Sequence, residues 1–228
     1  MSIEGGNNHK KESVMKWLDK EVGDGENGII IYPNLQSFRQ IYTKYVKDQL
    51  AKQEEEEQQQ DNDNSNNNSN NNSKGNEQLK PRIVLIATFY ETVESVKHHL
   101  SAVGVQNIQS LIDKGSLLIV DAFSSYYPDV NGMKKLVASL SERARKEGRN
   151  GVTAIVDMGY FFLFGGDGRA TELINYEASL SPMTEGGNVK GFSCYHVGNY
   201  NTLKDSQKKE LAQKGKKLFE VKETLTAF

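Results

Sequence analysis

The stretch Arg82-Ile-Val-Leu-Ile-Ala-Thr88 decides the fold class. It is a continuous apolar run rich in β-branched residues, which is typical of a strand buried on both faces of a parallel sheet. Helical spacing follows at once from Glu91 to Val103, and Gly104 ends the pattern. A buried strand followed by a helix is one βα unit, and such units repeat along the chain.

Further βα units lie on both sides of this one. Compact apolar runs predict additional strands at 28–32, 117–120, 152–156 and 191–197, and a last one at 217–224. Apolar residues three and four apart predict helices at 11–22, 35–50, 107–113, 132–147 and 170–180, with a polar helix or turn at 207–215. This alternation predicts an α/β fold with a mostly parallel, doubly wound sheet between two layers of helices.

A low-complexity insertion separates the first predicted helix from the strand at 82–88. Residues 53–78 are mostly glutamate, glutamine, asparagine and serine, with almost no apolar side chain. Such a segment cannot bury enough surface to offset its ordering entropy, so we expect it to be disordered. Because the entropy of loop closure grows slowly with length, we interpret it as an expanded surface loop, with an interaction segment as the alternative. The whole chain, 1–228, is then a single domain.

Composition and charge exclude several classes of protein. The formal net charge is −2, which gives no general attraction for nucleic acid. The single cysteine, Cys194, excludes a disulfide within the chain and fits a reducing compartment. The first 20 residues contain no apolar secretory core, and no run of about 18 apolar residues could span a membrane. We therefore expect a cytoplasmic protein without membrane or nucleic-acid partners.

The sequence lacks the signatures of nucleotide hydrolysis. No glycine-rich phosphate loop follows the predicted strands, since Tyr32-Pro33-Asn34 and Thr88-Phe89-Tyr90 stand at the first two of those positions. No catalytic constellation, cofactor motif or set of metal ligands is evident either, so we do not expect an enzyme. A degenerate nucleotide-binding protein or ATPase remains the alternative, because the predicted fold is common among nucleotide-binding proteins.

Candidate binding residues lie where the predicted strands end, because ligands of open parallel sheets bind outside the carboxyl ends of the strands. Aromatic side chains there suit a small apolar ligand, although they are equally common in cores. The two aspartates in this set have capping of the following turn as the simpler interpretation. The candidates at these positions are Tyr32, Asp121, Asp157, Tyr160 and His196.

The tripeptide Cys194-Tyr195-His196 carries the most reactive groups of the chain. In a strand, Cys194 and His196 point to one face and Tyr195 to the other. A zinc site needs three or four ligands, and a cysteine nucleophile needs a base, so burial in the core is the favoured interpretation of Cys194. In the helix predicted at 170–180, we expect Glu177 to be exposed.

The ordered set of motifs resembles the MEDS family of sensory domains, named for methanogen and methylotroph regulators. The stretches that carry the resemblance are 29–35, 83–105, 111–122, 144–148, 173–180 and 192–196. The resemblance implies a RecA-like three-layer fold without a phosphate loop, and the sensing of small hydrocarbon-like molecules. It adds Tyr176, Glu177, Cys194 and Tyr195 as the best-matching positions. Asn27-Gly28 stands where the family has a histidine before the first strand.

Together these observations predict a stand-alone sensor or signal-transduction domain. It would bind a small molecule at the carboxyl ends of its strands and pass the ligand state to a protein partner. A scaffold that makes only protein contacts is a further hypothesis, which a structure without a concave pocket at the strand ends would favour.

Overall fold

The computed structural model describes residues 21–66, 80–126, 129–163, 167–184, 188–214 and 217–221. Nearly all of the helix predicted at 11–22, and the segment 67–78 of the predicted insertion, lie outside the described residues.

Six strands form one parallel sheet in the order β3-β2-β4-β5-β1-β6. The strands are β1 (Asn27–Tyr32), β2 (Ile83–Thr88), β3 (Leu117–Asp121), β4 (Val152–Asp157), β5 (Val189–His196) and β6 (Lys217–Glu220). β3 lies at one edge, while β4 is central and paired on both sides. The parallel α/β sheet predicted from the sequence is confirmed.

Eight α-helices and one 3₁₀-helix connect these strands within the described residues. The α-helices are α1 (Leu35–Asn66), α2 (Val93–Ala102), α3 (Ile108–Asp113), α4 (Ala122–Tyr126), α5 (Gly132–Lys146), α6 (Asp167–Thr184), α7 (Val197–Thr202) and α8 (Asp205–Lys214). The 3₁₀-helix spans Gly159–Phe162. None of the helices in these residues combines the length and the apolar character that a membrane crossing requires.

The sheet is covered on both faces, and alternate residues of each strand point to different helices. On one side, which we call the α1–α3 face, Ile30 packs in a core with side chains of α1 and α2, such as Phe38 and Val96. On the other, the α5–α6 face, Ile29 packs in a core with side chains such as Met133 and Leu173. Two cores on opposite faces of one parallel sheet make the three-layer arrangement predicted from the sequence.

Helix α1 is longer than the sequence predicts. The helix predicted at 35–50 continues to Asn66, into the first part of the predicted insertion. Glutamate and glutamine are good helix formers, and a helix that is already nucleated can extend through them without burying apolar surface.

Candidate functional site

Three of the predicted site residues lie together at the carboxyl edge of the sheet, on its α1–α3 face. The hydroxyl of Tyr32 donates a hydrogen bond of 3.0 Å to Oδ2 of Asp157, across β1, β5 and β4. The ring of His196 contacts Tyr32 edge-on, with 5.6 Å between centroids, and Tyr90 lies 6.0 Å from His196. Tyr32, Asp157 and His196 therefore form one cluster, as their strand-end positions suggested.

Asp157 is fully buried at the centre of this cluster. Burial raises its pKa to about 7, against the hydrogen bonds from Gly159 N and the Tyr32 hydroxyl, which lower it. Oδ1 accepts from Gly159 N at 2.9 Å, so both carboxylate oxygens have protein partners. The buried ring of Tyr32 lies beside the carboxylate of Asp157. This arrangement does not support the alternative of a nucleotide-binding protein.

Asp121 lies apart from the cluster, at the end of the edge strand β3. Its Oδ1 accepts from Phe123 N at 3.2 Å and its Oδ2 from Ser124 N at 3.0 Å. These are the bonds by which an aspartate caps a helix start, here that of the short helix α4. In the sequence, Asp121 and Asp157 look equivalent because each ends an apolar strand. In the structure they have different environments.

Tyr160 and Tyr176 belong to an aromatic group on the opposite, α5–α6 face. The ring of Tyr126 stacks on Tyr160 at 5.1 Å and meets Tyr176 edge-on at 5.4 Å. The Tyr126 hydroxyl donates to that of Tyr176 over 3.4 Å. The candidate residues therefore occupy two faces of the sheet and do not converge on one cavity.

Glu177 is buried, and the expectation that it is exposed is wrong. Only 1% of its surface is accessible. Oε1 accepts a hydrogen bond of 2.5 Å from the hydroxyl of Tyr195, and Oε2 accepts one of 3.0 Å from Nδ2 of Asn27. The same amide donates to the Ser193 hydroxyl at 2.9 Å. Burial raises the pKa of Glu177, against these hydrogen bonds. This network joins α6 to β1 and β5.

The burial predicted for Cys194 is confirmed. The side chain is inaccessible and packs in the core of the α1–α3 face. Burial raises the pKa of its thiol well above the usual range, with the neighbouring Asp157 adding to the effect. A protonated, buried thiol is a small apolar group and a poor nucleophile. In the described part of the chain, no group of three or more His, Cys, Asp or Glu side chains is placed to hold a metal ion.

A cavity of about 40 Å³ lies between the α5–α6 face of the sheet and the two helices. Its wall is mostly apolar and includes Ala154, Val156, Met158 and Val137, with Asn27 and Ser193 among its polar residues. A much larger open groove of about 680 Å³ runs between α5 and α6 on the outside. Asn131, Arg169, Thr171, Glu172, Asn175 and Ser179 are among the residues that line it.

Lys134 and Tyr176 line both spaces and so stand between the cavity and the groove. Nζ of Lys134 lies 5.2 Å from the centre of the Tyr176 ring and donates a hydrogen bond of 2.6 Å to Oγ of Ser179. The pKa of Lys134 is lowered by burial. Two side chains with rotatable bonds thus lie between the mostly apolar cavity and the open groove.

Residues 77–213 match the model of one protein family, MEDS, the MEthanogen/methylotroph, DcmR Sensory domain. The chain belongs to the MEDS family. The resemblance seen in the sequence is confirmed, and with it the assignment to a family of sensory domains. No curated protein matches the chain.

The MEDS match runs from before β2 to the end of α8. It includes α5, α6 and the central strand with Asp157, and therefore most of the cavity wall. It does not include β1, which supplies Tyr32 and Asn27. Strand β1, which precedes the matched region, thus supplies one side chain to each face of the sheet. Tyr32 bonds to Asp157 on the α1–α3 face, and Asn27 bonds to Glu177 on the α5–α6 face.

The sequence pattern alone does not point to Lys134 as a site residue. The helical stripe of α5 was evident from Met133, Leu136 and Val137, but a lysine on such a helix normally points to solvent. Its position between Met133 and Val137 puts it at the margin of the apolar stripe. This position is the one feature of the sequence that could have indicated a partly buried lysine.

Proposed function

We propose that this MEDS domain senses a small molecule that enters the cavity on the α5–α6 face from the groove outside, and that it passes the ligand state to a protein partner. Membership of a sensory-domain family supports a sensing role. The observation that carries the proposal is that Lys134 and Tyr176 line both spaces, so that movement of two side chains would connect the cavity with solvent.

The dimensions of the cavity restrict the ligand. About 40 Å³ is room for one or two carbon atoms beyond the present packing, since a cavity of about 150 Å³ is needed to hold benzene. The groove can hold a polar remainder of the molecule, because its wall includes Asn131, Asn175 and Ser179. A ligand with a small apolar end and a polar end fits both spaces.

The position of Tyr176 suggests how occupancy would be transmitted. Its neighbour in the chain, Glu177, holds the hydrogen bonds to Asn27 of β1 and Tyr195 of β5. A ligand that displaces Tyr176 would therefore shift α6 against two central strands. A shift of a packed helix is a common means by which a binding event reaches a distant surface.

The test is thermal unfolding of the domain with a panel of charged and neutral organic molecules of two to six heavy atoms. A ligand of the native state raises the unfolding temperature in a saturable way. The matched control is Ala154→Val, which adds two carbon atoms inside the cavity. We expect stabilisation of the wild type that Ala154→Val abolishes. No stabilisation by any molecule, or equal stabilisation of both proteins, would contradict the proposal.

A further inference from the structure

The ammonium group of Lys134 lies at the junction between cavity and groove. Among the described residues, no acidic side chain makes an ion pair with Lys134; the nearby Asp129 pairs with Lys135 at 2.7 Å. Among the described residues that line the groove, the acid is Glu172, which pairs with Arg169 at 2.6 Å. Of the charged groups among those residues, the ammonium group of Lys134 is therefore the one that no ion pair holds.

Lys134 is also held in place and partly desolvated. Its ammonium group donates to Ser179 and lies over the ring of Tyr176, while burial lowers its pKa. An ammonium group has three N–H donors, and Ser179 accepts one of them. A partly buried, unpaired ammonium group gains more from an incoming anion than an exposed one does, because its charge is less well solvated.

The other side of the junction is apolar. Past Lys134 and Tyr176, the wall is made chiefly of Val137, Ala154 and Val156. An anion alone would leave this space unused, and a hydrocarbon alone would leave the ammonium group unpaired. We infer that the ligand is a small aliphatic carboxylate, whose carboxylate group pairs with Lys134 and whose hydrocarbon end enters the cavity. This inference rests on the proposed function.

The experiment compares probes that share one hydrocarbon end and differ in the charge and kind of their polar group. Propionate, propionamide and propanol are titrated into the wild-type protein by calorimetry, at constant ionic strength maintained with sodium chloride. A charge-assisted hydrogen bond strengthens binding by about tenfold or more, so we expect propionate to bind at least that much more tightly than the two neutral probes. The series formate, acetate, propionate and butyrate tests the cavity, and affinity should rise until the hydrocarbon end fills it.

Two variants of helix α5 locate the charge. Lys134→Met should weaken the binding of propionate about tenfold relative to that of propanol. Lys146→Met, which removes an exposed positive charge from the end of the same helix, should leave both unchanged. Lys134→Arg retains the charge and should retain the preference for the carboxylate.

The outcomes separate the two proposals. If the neutral probes bind as tightly as propionate, and Ala154→Val abolishes that binding, the carboxylate inference is overturned while the sensory site stands. Equal stabilisation by sulfate and propionate would likewise overturn it, because the hydrocarbon end would then play no part. If neither the carboxylates nor the neutral probes bind in a manner that depends on Ala154, both proposals fail. The comparison among wild-type titrations decides the matter even if Lys134→Met does not fold.

Discussion

On the α1–α3 face, the hydroxyls of Tyr32 and Tyr42 each donate to a carboxylate, that of Asp157 or Glu91. On the α5–α6 face, Tyr126 and Tyr176 share one long contact of 3.4 Å beside the larger cavity. The α1–α3 face has a cavity too, of about 20 Å³, half the size of the other. Buried tyrosines are thus held differently on the two faces. On the α1–α3 face Tyr32 and Tyr42 are hydrogen-bonded to carboxylates, whereas on the α5–α6 face Tyr126 and Tyr176 lie next to a cavity.

This difference bears on the ligand site proposed for the α5–α6 face. A buried tyrosine that donates to a buried carboxylate cannot move without leaving a polar group unpaired, so the α1–α3 face serves as a fixed support. The pair Tyr126 and Tyr176 has weaker partners and a cavity to move into. The α5–α6 face also contains a firm point, Glu177, whose hydrogen bonds tie α6 to β1 and β5.

Breaking that firm point should have the largest effect. Glu177→Ala leaves the donors of Tyr195 and Asn27 without an acceptor and opens a space in the core, so we expect it to lower the free energy of unfolding by about 3 to 5 kcal/mol. Glu177→Gln retains an acceptor and should lower it by about 1 kcal/mol. Urea denaturation measures both.

The matched control lies in the same helix. Glu172 is partly exposed, and its carboxylate pairs with Arg169 at the surface. Because exposed ion pairs contribute little, Glu172→Ala should change the free energy of unfolding by less than about 1 kcal/mol. A loss at Glu177→Ala no greater than that at Glu172→Ala would show that the buried network contributes little.

The firm pair on the opposite face should make stability depend on pH. Asp157 has a pKa of about 7 when folded, against the ordinary value of 3.8 for an aspartate in an unfolded chain, so the folded protein binds a proton that the unfolded chain has released. Stability therefore falls as the pH rises from 4 to 7 and then levels off. A difference of about three pH units corresponds to about 4 kcal/mol from this one group.

The variant Asp157→Asn isolates this contribution. It removes the titrating group and keeps an oxygen for Gly159 N, so its stability should fall less than that of the wild type between pH 4 and pH 7. Measurements of urea denaturation at several pH values compare the two proteins. Parallel profiles would mean that Asp157 is already ionised in the folded protein at low pH.

Two alanines in neighbouring strands test whether the cavity is real space. Ala87 of β2 and Ala154 of β4 are both buried on the α5–α6 face, and only Ala154 lines the cavity. Ala87→Val forces two extra carbon atoms into a packed core and should lower the free energy of unfolding by about 1 to 3 kcal/mol. Ala154→Val should change it by less than about 1 kcal/mol. Equal losses would argue that the cavity cannot take a ligand.

How far the sequence could predict these features depends on the range of the interactions involved. The strand Ile83–Thr88 follows from seven adjacent residues, and Gly104 marks a helix end that the structure places at a positive φ of 89°. Such signals are local. Asp121 and Asp157 look alike in the sequence because both end an apolar strand. The order of the strands separates them, with β3 at an edge and β4 in the centre, and no local pattern states that order.

Glu177 shows the same limit for a single side chain. Leu173, Tyr176 and Leu180 are three and four positions apart in α6, the spacing of one helix face, and Glu177 lies beside them on that face. An acid there was interpreted as exposed, because a buried carboxylate needs donors to hold it. One of its donors, Asn27, is 150 positions away in the chain, beyond the reach of a local argument.

The smallest predicted effect compares one hydroxyl on each face. The hydroxyl of Tyr45, on the α1–α3 face, donates a hydrogen bond of 2.7 Å to Oγ1 of Thr153, so Tyr45→Phe should lower the free energy of unfolding by about 1 kcal/mol. Tyr176→Phe removes only the acceptor of the 3.4 Å contact from Tyr126 and should lower it by less than about 0.5 kcal/mol. Urea denaturation of both variants against the wild type resolves a difference of this size when the slopes agree. A larger loss at Tyr176 than at Tyr45 would mean that the hydroxyls beside the cavity are as firmly held as those of the α1–α3 face, and it would contradict the proposal that a ligand displaces Tyr176.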